Sequence, residues 1–432
     1  MNREPLDHWL QRLERLHPKA IELGLDRVAA VADRLDLLQP EQPVVTVAGT
    51  NGKGSVVAVL EALLREQGVS CGAYTSPHFE NFNERIRVDG RAVGDDDIVV
   101  ALEAIEEARD TVSLTYFEFA TLAALYLFKS LRPDVLLLEV GLGGRLDAVN
   151  IIDPSVAVIT RIDLDHEEWL GKTRAAIAQE KAGILRCGIP AVIGDPDPPK
   201  TLVDLPRAVG ASPTLFIGAD FTCETMSQEH WMATITGTGG RHQHLGPLPL
   251  GPLLPENQCT ALQVMPLLGF QLTRESVLAA IDHTELKGRR AEHRIGQVDY
   301  LLDVAHNPSA VKKLLEYMTA KPCKGDTIAV FSAMSDKDLV SMLEPAISIV
   351  DVWFLADQPE VPRAASAASI AAKLSALGAP RVHQSDRLSG ALCCAQTAAK
   401  PGDRVVVFGS FHTLGALLPL LGTDSASLEA AV

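Results

Sequence analysis

Residues 49–55 read GTNGKGS and lie between two apolar runs, VVTVA and VVAVLEALL. A strand that leads through glycines into a helix is the setting of a phosphate-binding loop, because free N–H groups and the helix N-terminus attract anions. Lys53 would reach the terminal phosphates of a nucleotide, and Ser55 would sit near a magnesium ion. The spacing departs from GxxxxGK[ST], since Gly54 separates the lysine from the serine. A glycine-rich turn with a solvated lysine is the alternative.

A second chemical signal is Glu139, near the end of the apolar segment DVLLLEVG. Burying a lone carboxylate is costly unless a cation compensates its charge. Magnesium prefers carboxylate, hydroxyl and water oxygens and often accompanies phosphates. Glu139 is therefore a candidate metal ligand, and a salt-bridged glutamate at the end of the sheet is the alternative.

Other polar residues of the first half also follow predicted strands. Ser76 in TSPH and His166 in LDHEEWLG fall just past strand ends, where the ligand crevice of an open α/β sheet lies. By residue type alone, Ser76 is as well explained by a turn and His166 by an ordinary loop. Lys181, in QEKAGIL, is typical of an exposed helix lysine beside Glu180.

The second half has its own polar strand ends. Asp303 and His306 end one strand in DVAHNP, and Ser410 ends another in FGSFHTLG. Asn257 and Arg289 border the segment that links the two halves. Polar clusters at matching strand ends predict that both halves contribute to binding and catalysis.

The whole-chain composition limits the possible partners. The chain has 432 residues, 47% of them hydrophobic and 22% charged, and a formal net charge of −16. Such a length predicts more than one domain, and an acidic chain is a poor nucleic-acid binder. The seven cysteines form no CxxC pair, which indicates reduced thiols in the cytoplasm. We find neither an apolar signal segment nor a membrane-spanning run, so we expect no membrane association.

Strands that alternate with helices predict the elements that hold these residues. Apolar strands without internal alternation are typical of a parallel, doubly wound sheet buried on both faces. We predict an α/β fold with a phosphate loop in residues 1–290, preceded by N-terminal helices, and a smaller Rossmann-like α/β domain in residues 291–432. Residues 195–256, rich in proline and glycine, are predicted to form short strands and loops.

Taken together, these segments resemble a known family. GTNGKGS, TSPH, LTYFEFATL, LLEVGLGGRLDAVN, LDHEEWLG, QEKAGI, DVAHNP and GSFHTL are similar to signature segments of the folylpolyglutamate synthases, which are ATP-dependent amide-forming ligases of the Mur ligase superfamily. They occur in the family's order over about residues 5–415. The stretch WLQRLERLHPKAIELGLDRV resembles the bacterial bifunctional form, which also has dihydrofolate synthase activity.

The resemblance implies specific site residues. ATP would be held by Thr50, Asn51, Gly52, Lys53, Gly54, Ser55, Asn257, Arg289 and Asp303. Two magnesium ions would be held by Ser55, Ser76, Glu139, His166 and Lys181, the lysine being carboxylated, and a monovalent cation would accompany them. The pterin substrate would meet Ala20, Ile21, Glu22, Leu23, Thr115, Tyr116, Phe117, Glu118, Leu146, Asp147 and Ala148. The candidate catalytic residues are Lys53, His166, Lys181, Asp303, His306 and Ser410.

The linker departs from the family pattern. The family often has a proline before its glycine–arginine pair, whereas this chain has Lys287-Gly288-Arg289-Arg290. The extra charge leaves open which arginine acts on ATP.

The activity that the resemblance implies is ATP-dependent addition of L-glutamate to 7,8-dihydropteroate and to reduced folates, through an acyl phosphate. We expect a monomer. The alternatives are a monofunctional folylpolyglutamate synthase, a muramyl-peptide ligase, whose substrate the pterin-like segment LTYFEF disfavours, and a non-catalytic nucleotide switch.

Overall fold

The computed structural model describes residues 4–17, 19, 21–227, 229–284 and 286–421. The chain divides into two compact units, Met1–Glu285 and Leu286–Val432. The sequence prediction placed this division after residue 290. None of the helices formed by the described residues is both long and apolar enough to span a membrane.

The first unit is built around a large sheet with helices on both faces. Its helices are α1 Leu6–Leu16, α2 Asp26–Arg34, α3 Lys53–Glu66, α4 Asp95–Arg109, α5 Tyr116–Leu131, α6 Glu167–Leu170, α7 Arg174–Lys181, α8 Lys200–Val209, α9 Pro255–Leu267 and α10 Arg274–Asp282. Its strands are β1 Val44–Ala48, β2 Cys71–Tyr74, β3 Ile86–Val88, β4 Arg91–Ala92, β5 Val135–Glu139, β6 Val156–Ile159, β7 Ala191–Ile193, β8 Thr214–Phe216, β9 Thr222–Thr225, β10 His230–Thr236 and β11 His242–Pro249.

The strand order places the phosphate-loop segment at the centre of the sheet. The eight strands run in the order β4-β3-β2-β5-β1-β6-β7-β8. All neighbours from β2 to β8 are parallel, and β3 and β4 add an antiparallel edge. The chain crosses from β2 and β5 on one side of β1 to β6 on the other, so the strand order reverses at β1. Ligands of open α/β sheets bind at the carboxyl ends of the strands at such a reversal.

Burial explains why the central strands have no polar alternation. Every residue of β1 and of β5 is buried. One large core includes residues of α1, α2, α4 and α5, and a second core includes residues of α7; both contain side chains of the sheet. Helices α3 and α9 also contact strands of this sheet. A strand buried on both faces is an almost continuous apolar run; Thr46 is the polar residue inside β1, and Glu139 stands at the end of β5.

The second unit is a smaller sheet covered by helices. Its elements are β12 Ala291–Ile295, β13 Val298–Leu302, α11 Pro308–Ala320, β14 Thr327–Phe331, α12 Leu339–Leu343, β15 Val352–Ala356, α13 Ala367–Ala376, β16 Val382–Ser385, α14 Leu388–Ala398, β17 Arg404–Phe408 and α15 Phe411–Leu421. The strand order is β12-β13-β17-β14-β15-β16. All pairs are parallel except β12 with β13. The predicted fold class is confirmed.

The prediction of short strands and loops for residues 195–256 was incomplete. Residues 195–256 contain a ten-residue helix, α8, which the proline-rich flanks and the internal Pro206 concealed. They also form a separate three-stranded antiparallel sheet, β11-β10-β9. The sequence analysis did not identify β12 as a strand; four of the five β12 residues are exposed, so this strand lacks an apolar pattern.

Candidate active site

The phosphate loop connects β1 to α3 and is shaped by close packing. Gly52 has φ 98°, and a Cβ atom there would clash with the Asn257 side chain. Gly49 is packed equally tightly against Thr160. The Thr50 hydroxyl donates to the Asp163 carbonyl at 3.0 Å. Glycines therefore let this loop lie directly against α9 and the segment after β6, which brings Asn257, one of the residues expected to bind ATP, to the loop.

Two lysines converge on one carbonyl oxygen of the loop. The Nζ atoms of Lys53 and Lys181 donate to Gly49 O at 3.1 Å and 2.8 Å. Lys181 is only 5% exposed, so the alternative of an exposed helix lysine was wrong. Burial, and then the nearby Lys53 charge, lower the pKa of Lys181 from 10.5 to about 7. Lys181 is therefore a weak base that releases its proton near neutral pH.

Glu139 ends β5 next to β1, the strand that leads into the phosphate loop. Its carboxylate is buried, and Oε2 accepts a hydrogen bond from the Ser76 backbone N–H at 3.2 Å. The same Oε2 would lie 3.7 Å from a Cβ atom added at Gly54. The structure thus brings Glu139, Ser76 and the phosphate loop together at the carboxyl ends of β1, β2 and β5.

His166 lies in the loop after β6. It has φ 51°, a backbone conformation that is uncommon outside glycine and clusters at functional sites. Its backbone N–H donates to Asp165 Oδ1 at 2.9 Å. Asp165 is buried, and its charge acts on Lys181. Sequence reasoning missed Asp165, although its position beside His166 in LDHEEWLG was a usable signal.

The residues proposed for the pterin come from three segments. Thr115 caps α5 and forms a capping box with Glu118, whose Oε2 accepts the Thr115 N–H at 2.7 Å. Leu146 O accepts the Gly24 N–H at 3.4 Å, so residues 21–24 adjoin residues 146–148. Arg27, which the sequence analysis did not single out, donates to Glu118 Oε1 at 3.1 Å.

The remaining residues of this group are placed as follows. Phe117 packs against Gly141, leaving no room for a side chain there. Tyr116 is the first residue of α5, and Ala148 the first of a short 3₁₀ helix. Ile21 and Leu23 lie in the loop between α1 and α2. Ala20 lies outside the described residues.

Asp147 lies close enough to the phosphate-loop lysines to sense their charges. It is buried and accepts the N–H groups of Leu142 and Val149 at 2.8 Å and 3.0 Å. Burial raises the pKa of Asp147 from 3.8 to about 6, and those N–H groups and then Lys53 oppose the rise. Asp147, a predicted acceptor residue, is therefore electrostatically coupled to Lys53 and Lys181, two residues predicted to act on phosphate or metal.

In the second unit, Asp303 follows β13. Its carboxylate is buried and accepts the N–H groups of Arg290 and Ala305 at 2.9 Å and 2.8 Å. Burial raises the pKa of Asp303, and Arg289 provides the strongest opposing charge. Asp303 thus organises the linker that enters this unit.

Arg289 and Arg290 each lie near a different aromatic ring. The Arg289 guanidinium lies 5.4 Å from the centre of the Phe411 ring, and Arg290 lies 4.9 Å from that of Tyr317. The His306 ring is 5.9 Å from Phe411. Arg289 is therefore the arginine that shares an aromatic neighbour with His306.

Ser410 occupies a different environment from His306. It precedes α15, is buried, and its Oγ accepts the Thr413 N–H at 3.0 Å. This is the arrangement of a helix-capping serine. The structure thus gives Ser410 a local role, and its predicted role toward glutamate stays a prediction.

Comparison with known proteins supports one family. Residues 47–193 match the Mur ligase middle domain and residues 289–411 the Mur ligase glutamate ligase domain. The chain is 41% identical, over 96% of its length and 96% of the relative's, to the dihydrofolate synthase/folylpolyglutamate synthase of Escherichia coli strain K12. The chain belongs to the dihydrofolate synthase/folylpolyglutamate synthase family of Mur ligases. The predicted family and enzyme class are confirmed.

Solved structures of this family share the fold. One is E. coli FolC in complex with DHPP and ADP, with a TM-score of 0.90 at 40% identity, covering 97% of this chain and 98% of that one. Another is a bifunctional folylpolyglutamate synthase/dihydrofolate synthase with Mn, AMPPNP and L-glutamate bound, with a TM-score of 0.88 at 40% identity, covering 97% and 98%. Family members therefore bind a nucleotide and a divalent metal.

The predicted metal ligands of this chain fit a divalent metal only if Lys181 is carboxylated. Among the residues that the structure describes, no three His, Cys, Asp or Glu side chains form a group that could hold a metal ion. Glu139 and the hydroxyl of Ser76 supply oxygen donors, but a protonated Lys181 next to Lys53 would repel a cation. A carboxyl group on Lys181 would turn that repulsion into a third, anionic oxygen donor.

Proposed function

We propose that this chain joins L-glutamate to 7,8-dihydropteroate and adds further glutamates to reduced folates, using ATP. The observation that carries the proposal is the convergence of Lys53, Lys181 and Glu139 at the strand-order reversal, in a chain whose 41% identical relative is named for both activities. ATP, the acceptor carboxylate and glutamate are all anionic, and the chain has a net charge of −16. Binding them therefore requires cations placed locally, such as Lys53.

ATP phosphates would lie on the loop of residues 49–55. The N–H groups at the start of α3 and the Lys53 ammonium supply positive charge there. Thr50, Asn51, Gly52 and Gly54 would line the phosphates, and Ser55 is buried in the first turn of α3. Asn257, Arg289 and Asp303 would hold the rest of the nucleotide, and the position of Arg289 beside Phe411 favours it over Arg290.

Ser55, Ser76, Glu139, His166 and carboxylated Lys181 would hold divalent metal, as two magnesium ions. When bound, these ions supply charge neutralisation of the phosphates. The neutral Lys181 amine is the nucleophile that takes up carbon dioxide, and its low pKa makes that form available near pH 7. The resulting carbamate would also neutralise Lys53. A monovalent cation would occupy the same region.

The proposed reaction consists of two substitutions, the first at phosphorus and the second at the acyl carbon. A carboxylate oxygen of the acceptor attacks the γ-phosphorus of ATP, giving an acyl phosphate and ADP. The amino group of glutamate, after losing a proton, attacks the acyl carbon, and inorganic phosphate leaves as the amide forms. Lys53 stabilises charge on the transferred phosphoryl group, and Asp303, His306 and Ser410 orient glutamate.

The acceptor would lie against the segments that hold Ile21, Glu22 and Leu23, Thr115 to Glu118, and Leu146 to Ala148. Aromatic and apolar surface from Tyr116 and Phe117 suits a flat pterin ring, and Asp147 suits its amino and ring N–H groups. We propose that Ala20 belongs to the same set. The enzyme would act as a cytoplasmic monomer, consistent with its seven free cysteines.

The test is phosphate release from Mg-ATP and L-glutamate, with 7,8-dihydropteroate and tetrahydrofolate offered separately. Release with both acceptors, and only when glutamate is present, supports the bifunctional assignment. Release with tetrahydrofolate alone would leave a monofunctional folylpolyglutamate synthase. Release with neither would overturn the proposal in favour of a muramyl-peptide ligase or a nucleotide switch.

A matched pair of variants ties this activity to the loop. Lys53→Ala removes the ammonium at Gly49 and should reduce turnover at least about 100-fold, because it removes stabilisation of the transferred phosphoryl group. Lys200→Ala removes an exposed lysine at the start of α8 and should leave turnover unchanged. Full turnover in Lys53→Ala would contradict the loop assignment.

A further inference from the structure

A buried ion pair joins two of the segments proposed to hold the acceptor. Glu118 lies in the first turn of α5, and its side chain is 4% exposed. One of its oxygens completes the capping box with Thr115, and the other accepts from Arg27 at 3.1 Å. A buried carboxylate needs such compensation, so Arg27 neutralises the start of α5.

Arg27 also holds the loop that precedes α2. Its Nη2 donates to the Glu22 carbonyl at 2.9 Å, and its Nη1 lies 3.3 Å from Glu22 Oε1. His17 and Lys19 lie 3.4 Å and 3.6 Å from the other Glu22 oxygen. The planar guanidinium spans both partners at once, a geometry that an arginine supports and a point charge does not.

We propose that Arg27 is a positioning residue for the acceptor, fixing the loop of residues 21–25 against the start of α5 and thereby setting the affinity for 7,8-dihydropteroate. The inference rests on the proposed function and deepens it. The same loop is also joined to the third acceptor segment, because Gly24 N–H donates to Leu146 O at 3.4 Å, so all three acceptor segments meet through this loop. Arg27 acts through these segments and not on the reacting carboxylate.

The position of Arg27 predicts which kinetic constant responds. The Arg27 contacts described here are to the loop and to α5, not to the phosphate loop or to Lys181. Arg27→Met should raise the KM for dihydropteroate at least about tenfold, change kcat by no more than about threefold and leave the KM for ATP within about twofold, the pattern of lost substrate binding. Arg34→Met is the matched control, because Arg34 ends the same helix but donates to the carbonyls of Ala108 and Arg109.

A double variant separates positioning from charge compensation. Arg27→Met alone leaves Glu118 buried without its cation and is expected to lower the melting temperature. Arg27→Met/Glu118→Gln removes both charges, and glutamine still fits a capping box, so stability should return towards that of the wild type. The KM for dihydropteroate should stay raised, since the double variant still lacks the Arg27 bridge between the loop and α5.

The outcomes are distinct. A double variant with the wild-type KM for dihydropteroate would overturn the proposal and reduce Arg27 to a counter-ion of Glu118. An equal rise in the KM for ATP would overturn it too, since the effect would then be general. A wild-type protein that forms no dihydrofolate would instead overturn the proposed function.

Discussion

At the scale of the residue, Lys181 owes its chemistry to its surroundings. Its acceptor, Gly49 O, lies 132 positions away in the chain, and the charge with the largest effect on its pKa is another lysine, Lys53. Reasoning from the residues alone favoured an exposed lysine, because the sequence around Lys181 shows only a helix with Glu180 beside it. The resemblance to a family selected the residue, and only the folded contacts explain its low pKa.

The low pKa of Lys181 predicts a pH-dependent stability. Between about pH 7 and 10.5 the unfolded chain keeps a proton on Lys181 that the folded protein has released, so the free energy of unfolding rises with pH across this window. Lys181→Met should remove this contribution, about 1.4 kcal/mol for each pH unit. Chemical denaturation in CO₂-free buffer across the window measures it, with the exposed Lys172→Met as the control. Parallel curves for wild type and Lys181→Met would contradict the prediction.

The carboxylation of Lys181 has its own test. Lys181→Ala should lose nearly all activity, at least about 100-fold, because the carbamate and its charge disappear. A small added carboxylic acid should restore part of that activity by supplying the missing anionic oxygens. Steady-state phosphate release with and without acetate measures the rescue, and wild-type activity in the variant would remove the carbamate from the mechanism.

At the scale of the element, the site depends on how α3 and α9 pack at the loop. Gly52 precedes α3 with φ 98°, and its missing side chain leaves room for Asn257 in the first turns of α9. Gly52→Ala would strain the backbone and push the loop from α9. We expect the KM for ATP to rise at least about tenfold, the equivalent of about 1.4 kcal/mol. Gly68→Ala is the control, since it also has a positive φ but open space around it; equal effects in both would contradict the packing explanation.

Apolar strands followed by helices could be predicted from sequence because burial on both faces leaves an unbroken apolar run. Elements with weaker burial could not. β12 is an exposed edge strand held by its pairing with β13, and α8 buries only Leu202 and Pro206. The site follows the same rule: strand-end residues such as Glu139 were predictable, whereas Arg27 and Asp165 gain their roles from partners distant in the sequence or from burial.

At the scale of the whole molecule, two properties stand out: the chain is strongly acidic, and its cysteines form no disulfide. The net charge is −16, so the cations of the site are local features set against an acidic background. All seven cysteines are free. The fold is therefore stabilised by its apolar cores and not by cross-links.

The free thiols give a prediction for the intact chain. A thiol-reactive chromophore should titrate seven groups per chain after denaturation without reductant, and reductant should leave the melting temperature unchanged. Cys71 and Cys259 should react only after unfolding, because both are buried and burial raises the pKa of each thiol. A count below seven with a reductant-sensitive melting temperature would reveal a disulfide and contradict the description.

The most direct measurement of the central claim follows oxygen atoms. We would label the carboxylate of 7,8-dihydropteroate with ¹⁸O, add Mg-ATP and L-glutamate, and analyse the released phosphate by mass spectrometry. Activation through an acyl phosphate transfers one labelled oxygen from the acceptor to each phosphate released, and that is the result we predict. Unlabelled phosphate formed together with dihydrofolate would show that ATP does not activate this carboxylate, and would contradict the proposed reaction.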